Sequence, residues 1–191
     1  MGTTKYKSSA KGVIYHIYNR GNQKKEIFLD SHDFSFYIHK LQKAVKDYNF
    51  SLIAYCLMPN HVHLVVKQNT EQTPQLLIAS LHTSYSKFFN KKYKLIGHLF
   101  QGRYKQKIVT SDEYARYLVA YIHLNPVQAG LCNVPQEYPW SSYREYQNKT
   151  KVNTLCEHPL IHELGLSLDI TSPLILMSIP QKISPKEMFD D

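Results

Sequence analysis

The chain has 191 residues, 43% of them hydrophobic, enough for one compact domain with a core and short for two. It holds no run of about 18 apolar residues and no apolar stretch at its N-terminus, so a membrane-spanning or exported protein is not expected and a cytoplasmic one is. Residues 1–151 carry 21 basic and 9 acidic side chains, net +12, whereas residues 152–191 hold two lysines against six acids, so the body of the protein is strongly basic.

Gly12 to Arg20 alternates apolar with polar residues and predicts a first strand. Ser31 to Tyr48 repeats apolar residues with a helical period, at Phe34, Tyr37, Ile38, Leu41 and Val45, with Ser31 or Asp33 available as its cap. Phe50 to Leu57 and His61 to Val66 are two strand-like runs separated only by Met58-Pro59-Asn60, the pattern of an antiparallel hairpin. A second helix is predicted from Thr73 or Pro74 to Asn90, with Leu76, Leu77, Ser80, Leu81, Ser84 and Phe88 facing inward. Arg103 to Val109 suits a fourth strand, and Thr110 or Ser111 opens a third helix that Asn125-Pro126 is expected to end. This order is that of an α+β, ferredoxin-like antiparallel sheet with two helices on one face, leaving the other face for the third helix or a ligand. The domain is placed at residues 1–150, followed by an irregular, acidic C-terminal tail at 151–191.

Cys56, Cys132 and Cys156 are far apart and form no Cys-x-x-Cys pair, so neither a zinc ribbon nor a disulfide framework is expected, and Cys56 is placed in the core. From Gln72 to Ser111 there is no acid, while Lys87, Lys91, Lys92, Lys94, Arg103, Lys105 and Lys107 gather among Tyr85, Phe88, Phe89, Tyr93, Phe100 and Tyr104. Cations displace counterions from phosphates and aromatic rings stack on bases, so the mixture suits a nucleic acid, a single strand above all. A merely solvated basic surface would look the same.

Two constellations carry chemistry. His61 and His63 alternate on a strand, so both imidazoles share a face while Val62, Leu64 and Val66 point to the core. The run lacks the third histidine of the histidine-triad nucleotide hydrolases, Val65 standing in its place. On the third helix Tyr114, Tyr117, Tyr121 and Asn125 form one stripe beside an apolar face of Ala115, Leu118, Val119 and Ile122. A phenol is a better leaving group than a sugar alkoxide, so a tyrosine can attack a DNA phosphate and keep the bond energy in a reversible link. A divalent metal, Mg²⁺ or Mn²⁺, held by His61, His63 and an oxygen of Asn125 would polarise that phosphate for Tyr121. The plain alternatives are two partly exposed histidines, a packed tyrosine stripe and an asparagine that terminates a helix before proline.

These residues, together with Tyr15-His16-Ile17-Tyr18-Asn19-Arg20-Gly21, Met58-Pro59-Asn60-His61-Val62-His63, Gly97 to Tyr104, Tyr121 to Leu131 and Tyr138 to Tyr143, resemble the single-tyrosine HUH transposases of the insertion-sequence-200-like superfamily, in particular the REP-associated tyrosine branch. The segments stand in family order over residues 12–145. The resemblance implies a transposase-type endonuclease that cleaves and rejoins single-stranded DNA at hairpin or palindromic ends through a 5′-phosphotyrosine, leaving a free 3′-hydroxyl. It assigns Tyr121 as nucleophile, with Tyr117 the rival one turn earlier, and His61, His63 and Asn125 as metal ligands. Many insertion-sequence relatives have glutamine where this chain has Asn125. Arg20, Gln101, Arg103, Lys105 and Lys107 are the candidate DNA contacts, with Arg103 equally suited to brace the fold. His16, His98 and His123 are expected as core or loop histidines. A second function class is a non-catalytic module that grips structured DNA or RNA; a third is a replication or relaxase nickase, against which the short chain counts. Whether the protein is a monomer or a homodimer is left open.

Overall fold

The structure, a computed structural model, describes residues 11–147 and 155–156. The elements are β1 (Ile14–Arg20), α1 (Ser31–Asp47), β2 (Phe50–Met58), β3 (His61–Gln68), α2 (Gln75–Tyr93), β4 (Lys105–Val109), α3 (Asp112–Gln128) and α4 (Tyr143–Gln147). The strands form one antiparallel sheet in the order β2-β3-β1-β4, the expected ferredoxin-like arrangement. No helix among the described residues is long and apolar enough to cross a membrane. The acidic tail lies outside the described residues apart from Leu155 and Cys156.

Strand pleating sorts the side chains into two faces. Tyr15, Ile17, Val62, Leu64 and Val66 turn to one side, where α1 and α2 pack together and bury Phe34, Tyr37, Leu41, Leu77, Ile78 and Leu81. The other side carries His16, Tyr18 and Arg20 of β1 beside Val65, His63 and His61 of β3, and α3 closes over its β2 edge. A bulge at Ile53 keeps both registers in phase, with Leu52 opposite Val66 and Ala54 opposite Val65.

Three local expectations are corrected. The cap of α1 is Asp30, one residue before the expected Ser31. Its carboxylate accepts from the Asp33 backbone N–H while the Asp33 carboxylate accepts from the Asp30 N–H, a reciprocal capping box. The inward stripe of α2 is rotated: Leu76 is exposed, and Ile78, Tyr85 and Phe89 are buried with Leu77 and Leu81. On this face the Tyr85 hydroxyl donates to the Ile27 carbonyl, which satisfies the buried phenol while its ring packs on Phe28 and Tyr37. Helix α3 runs through Asn125-Pro126 and stops at Gly130, whose φ of +69° only glycine adopts without strain. Pro126 removes one backbone donor, yet the turn beyond it closes through Ala129 N–H to the Asn125 carbonyl.

The segment 138–146, beyond the last predicted element, covers the free edge of β2. The Leu57 N–H donates to the Trp140 carbonyl, the Ser142 N–H to the Tyr55 carbonyl, and the hydroxyls of Tyr138 and Tyr146 to the carbonyls of Leu57 and Ile53. Trp140 stacks on Phe34 at 4.7 Å between ring centroids. An edge that could template another strand is thereby closed by the chain's own side chains and backbone.

Candidate active site on the histidine face of the sheet

The register that makes the sheet also assembles the site. Tyr18 lies opposite His63 and Arg20 opposite His61, so β1 and β3 present two histidines flanked by an arginine at one end of the sheet. The rings of His61 and His63 are 5.1 Å apart and perpendicular. Each has its Nδ1 engaged. Asn60 Oδ1 is 2.6 Å from His61 Nδ1, and the Asn60 amide nitrogen donates to the Lys24 carbonyl, which fixes the oxygen toward the ring. His63 Nδ1 lies 3.0 Å from Nε2 of His16. Burial holds all three imidazoles below the ordinary histidine range, His61 at about 4, helped by Arg20, and His16 at about 3, helped by Lys107. His63 is lowered by burial and then by its two histidine neighbours. At neutral pH the rings are uncharged, the state in which imidazole offers a lone pair to a cation.

Tyr121 reaches this face from α3. Its ring stands edge-on to His63, 6.2 Å between centroids and 88° between planes, and is only 3% exposed. Burial pushes its phenol up from the ordinary tyrosine value, and the neighbouring Asn125 amide opposes the shift. Asn125, one turn further along α3, is buried, and its Nδ2 has no hydrogen-bond partner among the described residues. Tyr117 is half-buried and stacks on Tyr114, so the rival tyrosine lies further out on the same stripe. Among the described residues no three His, Cys, Asp or Glu side chains converge on one point. A cation on this face would therefore have the two histidines and an amide or water as its ligands. Two neutral nitrogens with their Nδ1 sides already occupied, beside a buried amide whose oxygen is of the type hard cations take, fit a divalent ion of the Mn²⁺ or Mg²⁺ type.

The candidate DNA contacts divide between two places. Lys105 lies opposite Tyr18 and Lys107 opposite His16, so both belong to the histidine face. Gln101 is bound to Arg20, its side-chain oxygen accepting from the guanidinium Nε at 2.6 Å, while its N–H donates to the Arg20 carbonyl. Arg103 instead lines a groove between α2 and the loop before β4. The larger of two adjoining cavities there is about 690 Å³, lined also by Thr83, Ser86, Lys87, Asn90 and His98. Composition pointed to this region, but only folding makes a groove of it. Several aromatics of the acid-free tract are not available to bases: Tyr85, Phe89 and Phe100 are buried, and Phe88 stacks on Phe36. Lys92 is likewise held, 2.7 Å from the carboxylates of both Asp30 and Asp33. His123 is a core residue, its Nε2 2.8 Å from the Ser142 hydroxyl, and Cys56 is buried as expected.

Residues 9–125 match the family model described as "Transposase IS200 like". The chain belongs to the IS200-like transposase family. A Haemophilus influenzae protein, described provisionally as a REP-associated tyrosine transposase, is 29% identical to this transposase over 56% of its chain and 69% of the relative. A solved REP-associated tyrosine transposase, bound to a REP hairpin, superposes with a TM-score of 0.61 at 18% identity, covering 76% of this transposase and 84% of that chain. The fold is thus shared with that protein. His16 is buried, in keeping with its expectation as a core or loop histidine, and its place beside His63 follows from cross-strand register, which spacing in the sequence does not signal.

Proposed function

We propose that this transposase cleaves and rejoins single-stranded DNA at hairpin or palindromic ends, with Tyr121 as nucleophile. The observation that carries this reading is the edge-on contact of Tyr121 with His63, which brings the α3 stripe and the histidine pair to one face within a single chain. His61, His63 and Asn125 would hold the divalent ion, which supplies charge to a phosphate oxygen and so favours displacement at phosphorus. In the cleavage step the Tyr121 oxygen bonds to phosphorus as the bond to the 3′-oxygen breaks. The phenol loses its proton and the departing 3′-oxygen gains one, leaving a 5′-phosphotyrosine and a free 3′-hydroxyl. Attack by a 3′-hydroxyl reverses the exchange and reseals a strand, with no need for a nucleotide cofactor. Rings 6.2 Å apart leave no space for a phosphate between them. For attack on phosphorus the phenol would turn outward from His63 to admit the phosphate.

Arg20, Gln101, Lys105 and Lys107 would meet the strand at the histidine face, and Arg103 with Lys87 and His98 would take its continuation along the α2 groove, a reading supported by their register and by the groove lining. Burial of the Tyr121 ring favours the second reading, a module that only grips structured DNA. One experiment separates the two. Purified protein incubated with labelled hairpin-bearing single strands and Mn²⁺ or Mg²⁺ is expected to yield a covalent protein–DNA adduct on a denaturing gel. The adduct should vanish with EDTA and in Tyr121→Phe. Persistence in Tyr121→Phe would transfer the role to another tyrosine, and binding without any adduct would leave the grip-only reading.

A further inference from the structure

We infer that His16 is a positioning residue for the metal site: it accepts the Nδ1 proton of His63 and thereby turns the lone pair of His63 Nε2 toward the ion. The inference rests on the proposed metal role of His61 and His63 and goes beyond it by adding a residue outside the ligand set.

The sheet register is the first support. His16 pairs with Val65 and so lies diagonal to His63 on the same face, within reach of an aromatic side chain. The two rings are nearly parallel, 18° between planes, with 3.0 Å between His16 Nε2 and His63 Nδ1. Both residues are 0% exposed, so solvent does not share in the hydrogen bond. A single proton lies between the two nitrogens, and it can belong to either. If His16 donates, His63 carries its proton on Nε2 and has no lone pair left for a cation. If His63 donates, its Nε2 is a ligand and the proton of His16 sits on Nδ1.

His16 Nδ1 has no hydrogen-bond partner among the described residues, so no other protein group fixes its tautomer and the ion at His63 Nε2 selects between the two arrangements. A buried imidazole nitrogen without a partner is costly where an aliphatic side chain would pack without loss. The cost is understandable if the ring is retained as an acceptor. His61 shows the same design by other means, its Nδ1 held by the Asn60 oxygen. Both histidines thus have their inner nitrogens occupied, the arrangement by which outer partners fix the tautomer and orientation of metal-binding imidazoles.

The test is Mn²⁺ affinity of the full chain without DNA, measured by calorimetry or by the free-Mn²⁺ electron paramagnetic resonance signal. His16→Phe keeps a ring and removes the acceptor, and should weaken Mn²⁺ binding by about 10- to 100-fold. His16→Gln, which offers an amide oxygen near the position of Nε2, should recover most of it. Wild-type affinity in a cooperatively folding His16→Phe, or an equal loss in both variants, overturns the assignment while leaving His61 and His63 untouched. Failure of the wild type to bind Mn²⁺ overturns the metal reading itself and the role of His16 with it. Should His16→Phe not fold, long-range ¹H–¹⁵N spectra of the Mg²⁺-loaded wild type decide. Protonated Nδ1 on His63 is the expected pattern, and protonated Nε2 overturns the assignment.

Discussion

His123 occupies a position where its charge state is set by packing alone. It is 3% exposed, with its Nε2 against the Ser142 hydroxyl and its ring edge-on to Tyr143 and Tyr146. Burial lowers it from 6.5 to about 3. Because the folded value lies below the unfolded one, protonation favours the unfolded chain. The stability this group contributes is complete above about pH 6.5 and is lost as pH falls toward 3, with a limiting slope of about 1.4 kcal/mol per pH unit. His123→Gln should therefore flatten the fall in stability between pH 6.5 and 4.5 relative to the wild type, as read from urea midpoints at several pH values. Identical slopes would show that folding does not lower the His123 pKa. The same desolvation at His16, His61 and His63 serves the opposite end, keeping three rings neutral where a cation would be bound.

At the scale of elements, the junction after β1 joins fold to site. Gly21 follows Arg20, its N–H donates to the Asn60 carbonyl in the β2–β3 turn, and a Cβ added to it would meet the Lys25 carbonyl oxygen at 2.0 Å. Its φ is −62°, so crowding and not backbone conformation demands glycine here. Gly21→Ala should cost about 2 kcal/mol or more in stability, because the obstacle is backbone that cannot rotate aside. It should also perturb His61 by displacing Asn60, seen as shifted amide resonances for residues 60 and 61 in an ¹H–¹⁵N spectrum. A fully stable Gly21→Ala with an unchanged spectrum would mean that the junction yields easily. Helix α3 makes the complementary point: it continues past Pro126 and so keeps Asn125 within the helix, one turn from Tyr121, where a helix ending at Asn125 would have left its amide on a loop.

For the whole molecule, the basic body predicts strand affinity that falls with salt. Each phosphate contact on single-stranded DNA contributes about 0.7 to the slope of log affinity against log salt. Lys105→Gln and Lys107→Gln should each lower that slope by about this amount, since both lie on the histidine face. Lys92→Gln should leave it unchanged, because Lys92 is held by Asp30 and Asp33. Fluorescence anisotropy with a labelled strand over a salt series measures all three, and a reduced slope for Lys92→Gln would put the DNA across the α1–α2 face.

The order of strands and helices, the shared face of His61 and His63 and the apolar side of α3 were all legible in the chain, because periods of 2.0 and 3.6 residues are local properties. The resemblance in its motifs agrees with the family match at residues 9–125. The inward face of α2 differs from the sequence expectation, since Leu76 and Ile78 are both large aliphatic residues and the buried stripe follows tertiary contacts such as that of Tyr85 with the Ile27 carbonyl. The end of α3 lies beyond the expected Asn125-Pro126 stop because the proline rule is statistical, whereas the turn after Pro126 is closed by Asn125 and Gly130. The pairing of His16 with His63, the closure of β2 by residues 138–146 and the groove around Arg103 join positions 47 to 93 residues apart or depend on which backbones approach. Such contacts are set by register and by the competition of side chains for buried space, quantities that exist only once the chain has folded.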